Sequence, residues 1–213
     1  MRQYLSRLWK QEPPSQPGAF SFLDLTGLTD GELELVQPGE RWIEAILAVV
    51  ANPATQLEAH EWAGIRRDSL LAFLRQAPKG HEPGNSGRRR VPMYHFWMRL
   101  RPEFQVPVPM GGSITLRAAT TPDIEMYFGH IGYGVYPPAR GRRLAERACR
   151  LLLPLARHHG LNPLWITTDP ENLPSRRTCE RLGADMVDIV DVPAGHTLYQ
   201  RGQKRKCRYR LAI

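Results

Sequence analysis

The sequence predicts an α/β domain built on a mixed sheet, and three observations carry that expectation. Segments with the alternation and the β-branched or aromatic content of strands recur along the second half of the chain. The apolar spacing changes to a helical period from Arg143 onward and returns to a strand pattern at LWITT, 164–168. The resulting order, strand, helix, strand, helix, strand, strand, is that of a mixed α/β sheet. At 213 residues, 42% of them hydrophobic, the chain can bury one sizeable core.

Element by element, residues 1–20 are polar and proline-bearing and read as a flexible arm, which leaves 21–213 as a single domain. LELVQP, 33–38, is a short strand. GERWIEAILAVVANP, 39–53, is a helix with Trp42, Ile43, Ile46, Leu47 and Val50 at helical spacing, closed near Pro53. A second helix is expected from Leu57 to Gln76, with Trp62, Ile65, Leu70, Phe73 and Leu74 turned to the core, followed by a surface loop at 78–90. VPMYHFWMRL (91–100), GGSITLRA (111–118) and IEMYFGHIGYGVY (124–136) are strand candidates. Gly129, Gly132 and Gly134 in the last of these mark a bulge or the close approach of another backbone or a ligand. Leu144, Ala148, Leu151, Leu152 and Leu155 form one stripe of the next helix, which Pro154 should bend or shorten. LWITT is a buried strand, Pro174 to Leu182 a short helix with Gly183 just past its end, and ADMVDIVDV and KCRYRLAI are the closing strands.

The formal charge of +8 is local: residues 140–150 carry a net +4 and residues 200–213 a net +6, which points to an anionic partner at particular places. No secretory signal pattern and no run of apolar residues long enough to span a bilayer occurs, so a soluble cytoplasmic protein without membrane attachment is expected. Cys149, Cys179 and Cys207 are odd in number and widely spaced, which suggests neither a disulfide framework nor a metal site.

The stretch VYPPARGRRLAERA, 135–148, places a glycine and three arginines at a helix start that follows a strand. The first N–H groups of a helix lack intrahelical partners and sit at the positive end of its dipole, so they bind phosphate well where the chain allows approach. Gly141 and Ala145 are small where that approach must occur, Arg140, Arg142 and Arg143 suit a diphosphate, and Arg147 reads as solvated.

The order GYGV, YPPA, RGRRLA, an amphipathic helix, LWITT and DPENLPSRRTCERLGA resembles the GNAT superfamily of acyl-CoA-dependent N-acetyltransferases, over residues 91–213 above all. Its signature is a basic or Gln residue, two variable residues, Gly, one variable residue, then Gly or Ala. Arg140 and Ala145 match its ends, whereas Arg143 stands where the middle glycine is usual. The resemblance implies a mostly antiparallel central sheet, splayed at the acyl-CoA site and flanked by helices. It implies that backbone groups near Tyr133 and Val135 hold the pantetheine arm, that Arg140, Gly141, Arg142, Arg143, Leu144 and Ala145 hold the pyrophosphate, and that Asn172 contacts the cofactor arm. The family often has a tyrosine seven residues after that Asn to protonate the departing thiolate, and here Cys179 takes the position. His130 or Glu125 would serve as base toward the amine. Lys204, Arg205 and Lys206 are offered to the 3′-phosphate of CoA or to an anionic acceptor.

The activity so implied is transfer of an acetyl group from acetyl-CoA to a small-molecule or peptide amine by direct attack in a ternary complex, with no metal. A homodimer is common in such enzymes. Two alternatives stand beside it: a non-catalytic module that binds nucleic acid through the basic segments, and a GNAT-fold acyl-CoA binder without turnover. A charged tRNA as an anionic acceptor would join the first alternative to the leading one.

Overall fold

In the computed structural model the described residues are 23, 25, 27–58, 62, 64–76 and 91–213. The arm expected at 1–20 and the loop expected at 78–90 lie outside them. Strands β1 (Leu28–Thr29), β2 (Leu33–Val36), β3 (Met93–Leu100), β4 (Met110–Arg117) and β5 (Ile131–Val135) form one sheet in that order. Strands β6 (Leu164–Thr168), β7 (Asp185–Asp191) and β8 (Arg205–Leu211) form a second sheet in the order β6-β8-β7. Every ladder in both sheets is antiparallel.

The helices are α1 (Ile43–Val50), α2 (Pro53–Gln56), α3 (Arg67–Gln76), α4 (Leu144–His158), α5 (Leu173–Leu182) and α6 (Thr197–Gln200). Helix α4 forms because its apolar residues recur at one face: Leu144, Ala148, Leu152 and Leu155 are all buried. That face packs on β2, β4 and β5, and a fully buried leucine there stabilises the fold by about 1.5–3 kcal/mol. Pro154 lies inside α4 without ending it, since a proline there withdraws only one N–H from a helix whose position is set by packing. Arg147 is not simply solvated. Its guanidinium clamps α4 to the β1–β2 turn through Asp30 at 2.6 and 2.7 Å and Glu32 at 3.0 Å.

Three boundaries differ from the expectation. Pro53 opens a helical turn rather than closing one, because Asn52 caps it by accepting from the N–H of Ala54. The second helix starts at Arg67, not Leu57: Ser69 Oγ accepts from the N–H of Arg66 and fixes the first turn, while Leu57 stays 88% exposed. The strand expected at 124–136 is confined to Ile131–Val135, and Ile124–Phe128 form a π-helical turn. Aromatic and β-branched content misleads there because the turn is half-buried against β6 and β8, an environment that favours the same residues as a strand. Gly129 ends the turn with φ +67, and a Cβ on it would sit 2.8 Å from Thr167 N of β6. Its glycine is therefore explained by the neighbouring backbone, one of the two readings open from sequence.

Candidate active site

The two sheets come together where the start of β5 approaches β6. The N–H of His130 donates to the carbonyl of Trp165 at 2.6 Å, and the N–H of Trp165 donates to His130 Nδ1 at 2.9 Å. Beyond that contact β5 pairs only with β4. The N–H of Tyr136 donates to Gly111 of the β4 side at 2.9 Å, and main-chain groups alternate across an antiparallel strand. Those of Tyr133 and Val135 consequently face away from β4, into the gap, and the carbonyl of Val135 there accepts from Arg140 Nε at 3.2 Å. Unpaired strand groups at the edge of a gap are what an extended amide chain can pair with.

One wall of the gap is the start of α4. Gly141 and Arg143 both have positive φ, +80 and +54, so the chain turns sharply before Leu144. Arg143 pays for a left-handed backbone that costs a residue with a side chain roughly 1–2 kcal/mol, which accounts for the glycine usual in this pattern. The opposite wall is α5, where Asn172 caps the helix by accepting from the N–H of Ser175 at 3.1 Å.

Between these walls lies a cleft of about 1120 Å³. Tyr133, Val135, Arg140, Gly141, Arg143, Leu144, Ala145 and Asn172 all line it, so eight of the nine positions expected to hold the cofactor are brought together. Arg142 is outside the lining. The cleft also receives Trp62 and the exposed Arg177 and Arg181 of α5, which the sequence reading missed. Their spacing of four residues on one helix was the available signal. Arg140 is engaged with Glu58 at 2.7 Å, so the mouth is a network of charges rather than a row of bare cations.

A smaller pocket of about 300 Å³ adjoins the cleft, and Tyr133, Asn172 and Ser175 line both. The Tyr133 hydroxyl lies 2.9 Å from Ser175 Oγ, and burial raises its pKa above the ordinary tyrosine value. Arg117, Asp169 and Lys206 supply the charged groups of the smaller pocket.

The proton-handling candidates lie elsewhere. His130 is fully buried and lines neither space. Its Nδ1 accepts from Trp165, which puts the ring proton on Nε2, 3.1 Å from Thr120 Oγ1. Cys179 is also fully buried, outside both linings, with its thiol pushed up to about 12 by burial. Glu125 sits in the π-helical turn rather than on a strand, again outside both linings, and its carbonyl accepts from Arg208 Nε at 3.0 Å. Of the C-terminal cations, Lys206 faces the smaller pocket, Arg205 pairs with Glu171, and Lys204 lines neither space. Among the described residues no cluster of potential metal ligands occurs and no helix is long and apolar enough to cross a membrane.

The state of His130 makes a prediction about stability. Burial, with the positive charge of Arg117 adding to it, holds the His130 pKa down at about 4. Between pH 6.5 and 4 the unfolded chain takes up a proton that the native ring refuses, so stability is complete above 6.5 and falls as pH drops. The loss expected from His130 by pH 4 is roughly 2–3 kcal/mol, read from urea unfolding at stepped pH. His130→Gln removes that share of the slope and leaves the share of His159, whose pKa burial likewise lowers to about 4.

The acetyltransferase (GNAT) domain model matches residues 33–185. Among solved structures the chain is similar to the Salmonella typhimurium acetyltransferase that modifies the N-terminal serine of ribosomal protein L7/L12, at 14% identity over 88% of this chain and 98% of that one, with a TM-score of 0.55. It is similar to the microcin C7 self-immunity acetyltransferase MccE in complex with acetyl-CoA and AMP, at 13% identity over 87% and 94% of the two chains, TM-score 0.56. The ribosomal L7/L12 α-N-protein acetyltransferase RimL in complex with coenzyme A gives 14% identity over 86% and 96%, TM-score 0.56. No curated protein sequence matches the chain. At these identities the structural likeness speaks to the fold.

Proposed function

Because the chain belongs to the GNAT acetyltransferase family, which its residues 33–185 match, we propose that it transfers an acetyl group from acetyl-CoA to an amine held in the smaller pocket. The observation that carries this reading is the continuity of the two spaces across Tyr133, Asn172 and Ser175. A donor reaching down the large cleft would present its thioester where an acceptor in the smaller pocket can attack it. Holding both reactants in one geometry is the largest saving such a site offers.

The large cleft suits CoA. The outward N–H groups of Tyr133 and Val135 would pair with the pantetheine amides, and the one nearest the thioester would stabilise the oxygen that gains charge. The start of α4 with Gly141 and Ala145, and the arginines at the mouth, would take the diphosphate. The acceptor nitrogen, as the free amine, attacks the thioester carbon, the C–S bond breaks, and the thiolate departs toward the shared wall, taking up in net the proton that the nitrogen gives up. There the Tyr133 hydroxyl, backed by Ser175, is the donor that would hold it, with the buried Cys179 thiol beside Tyr133 and outside the lining. His130 remains a candidate only as a positioning residue, through its bonds to Trp165 and Thr120.

Calorimetric titration with CoA, followed by thiol release from acetyl-CoA over a set of amines, tests the reading; no CoA binding would sink it. Tyr133→Phe is expected to lower kcat about tenfold or more while CoA affinity holds, since only the charge-stabilising hydroxyl is lost. Cys179→Ala is expected to change kcat only a few-fold. The reverse ranking would return the thiol to the chemistry.

A further inference from the structure

Arg117 and Lys206 face the same small space from different strands, β4 and β8. Arg117 is half-buried, and its Nη1 donates only to main-chain carbonyls, Gly129 at 3.0 Å and Phe128 at 3.4 Å. Its Nε is shut off from solvent and has no hydrogen-bond partner among the described residues. Lys206 is buried at 7% exposure and donates to the side-chain oxygen of Gln203 at 2.5 Å, a neutral partner. Neither cation forms an ion pair among the described residues, although Arg205 and Arg208 on the same strand β8 do. Asp169 is the single carboxylate lining the pocket, and it lies near enough to Lys206 to favour its charged form. Two cations against one carboxylate leave the described lining of the pocket one negative charge short of neutral. Burying charge without compensation is costly, and a purely structural role does not require it of a second residue.

Resting on the acetyl-transfer reading above, we infer that the smaller pocket takes an acceptor amine bearing an anionic group, a carboxylate or a phosphate, held by Arg117 and Lys206. Arg117 offers its guanidinium charge to a planar or tetrahedral anion, and Lys206 adds a point charge. Asp169 is left to meet the acceptor's ammonium before it is deprotonated. The volume of about 300 Å³ equals roughly ten waters, room for a group the size of an amino acid or the terminal residue of a longer chain. Thr167 and Thr168, Gln203 and Ser175 complete a wall that is polar where an acceptor with an aliphatic amine would want it dry.

The test uses matched pairs that differ only in the anion. The CoA-saturated protein is titrated calorimetrically with glycine against glycinamide and with phosphoethanolamine against ethanolamine, and the same pairs are compared in thiol release from acetyl-CoA. One or both anionic members are expected to bind about tenfold or more tightly than the neutral partner, and the pair that shows the difference tells carboxylate from phosphate. Lys206→Met is expected to erase most of the preference while CoA affinity, the control for folding, is unchanged. Arg117→Lys, which keeps a charge but loses the fork, is expected to weaken it in part. Equal or tighter binding of the neutral members, no binding by any anionic member, or a preference that survives both substitutions would overturn the inference and leave acetyl transfer standing. Failure of CoA itself to bind would instead remove the reading on which the inference rests.

Discussion

Gly112→Ala is expected to lower the unfolding free energy by about 3 kcal/mol or more and, with it, to abolish CoA binding. Gly112 lies on β4 opposite Val135 of β5, with φ +150. A Cβ built on it would fall 2.0 Å from the carbonyl oxygen of Gly134 and 3.0 Å from the Cα of Val135. Those are backbone atoms, so relief requires β4 and β5 to part along the stretch that presents Tyr133 and Val135 to the cleft. Gly39→Ala is the control, because nothing lies within 4 Å of its added Cβ, and it should change stability by less than about 0.5 kcal/mol. Urea unfolding of both variants decides the matter; a Gly112→Ala protein as stable as the control would mean that the strand pairing is looser than described.

The second large effect concerns affinity rather than stability. Ala145→Leu is expected to weaken CoA binding by about a hundredfold while melting stays close to that of the unchanged protein. Ala145 lies in the first turn of α4, is 8% exposed and lines the cleft. A leucine keeps the helix, since its propensity is nearly that of alanine, but projects into the space where the N–H groups at the helix start would meet a phosphate. Arg143→Gly makes the useful contrast. It relieves a left-handed backbone worth roughly 1–2 kcal/mol and gives some of that back through the freedom of glycine in the unfolded chain, so a small rise in melting temperature is expected. Its loss of CoA affinity should be far smaller than that of Ala145→Leu. If the order were reversed, the Arg143 side chain rather than the backbone would be the element that grips the diphosphate.

The legible parts of the molecule were those written in periodicity. Helix α4 announced itself through the stripe Leu144, Ala148, Leu151, Leu152 and Leu155, of which all but the half-buried Leu151 are buried, β6 through its short apolar run and β8 through its alternation. The cleft residues from Tyr133 to Ala145 and Asn172 followed from the order of motifs. Burial was what the sequence could not disclose for single polar residues. His130 and Cys179 have the chemistry of an acid–base pair, yet each is sealed in the interior, and nothing in a lone His or Cys distinguishes a wall from an opening. Arg117 was passed over for the opposite reason. It ends a strand, where a charged residue is unremarkable, and only the folding of the 124–128 turn over it makes it a half-buried cation. Trp62 reached the cleft from a segment expected to be helical core.

The two sheets are joined through His130 with Trp165 and through the 124–128 turn packed on β6 and β8, and beyond those contacts the outer edge of β5 has no strand beside it among the described residues. Any extended ligand laid along the outer edge of β5 would act as the missing binding between the sheets. The protein without ligand should then be the looser object, with amide protons of β5 and β6 that exchange quickly, and a ligand at a hundred times its dissociation constant should stabilise the whole by about 2.7 kcal/mol. On the acetyl-transfer reading proposed above, the donor would be an architectural part of the protein for as long as it stays, and every turnover would briefly remove a strand.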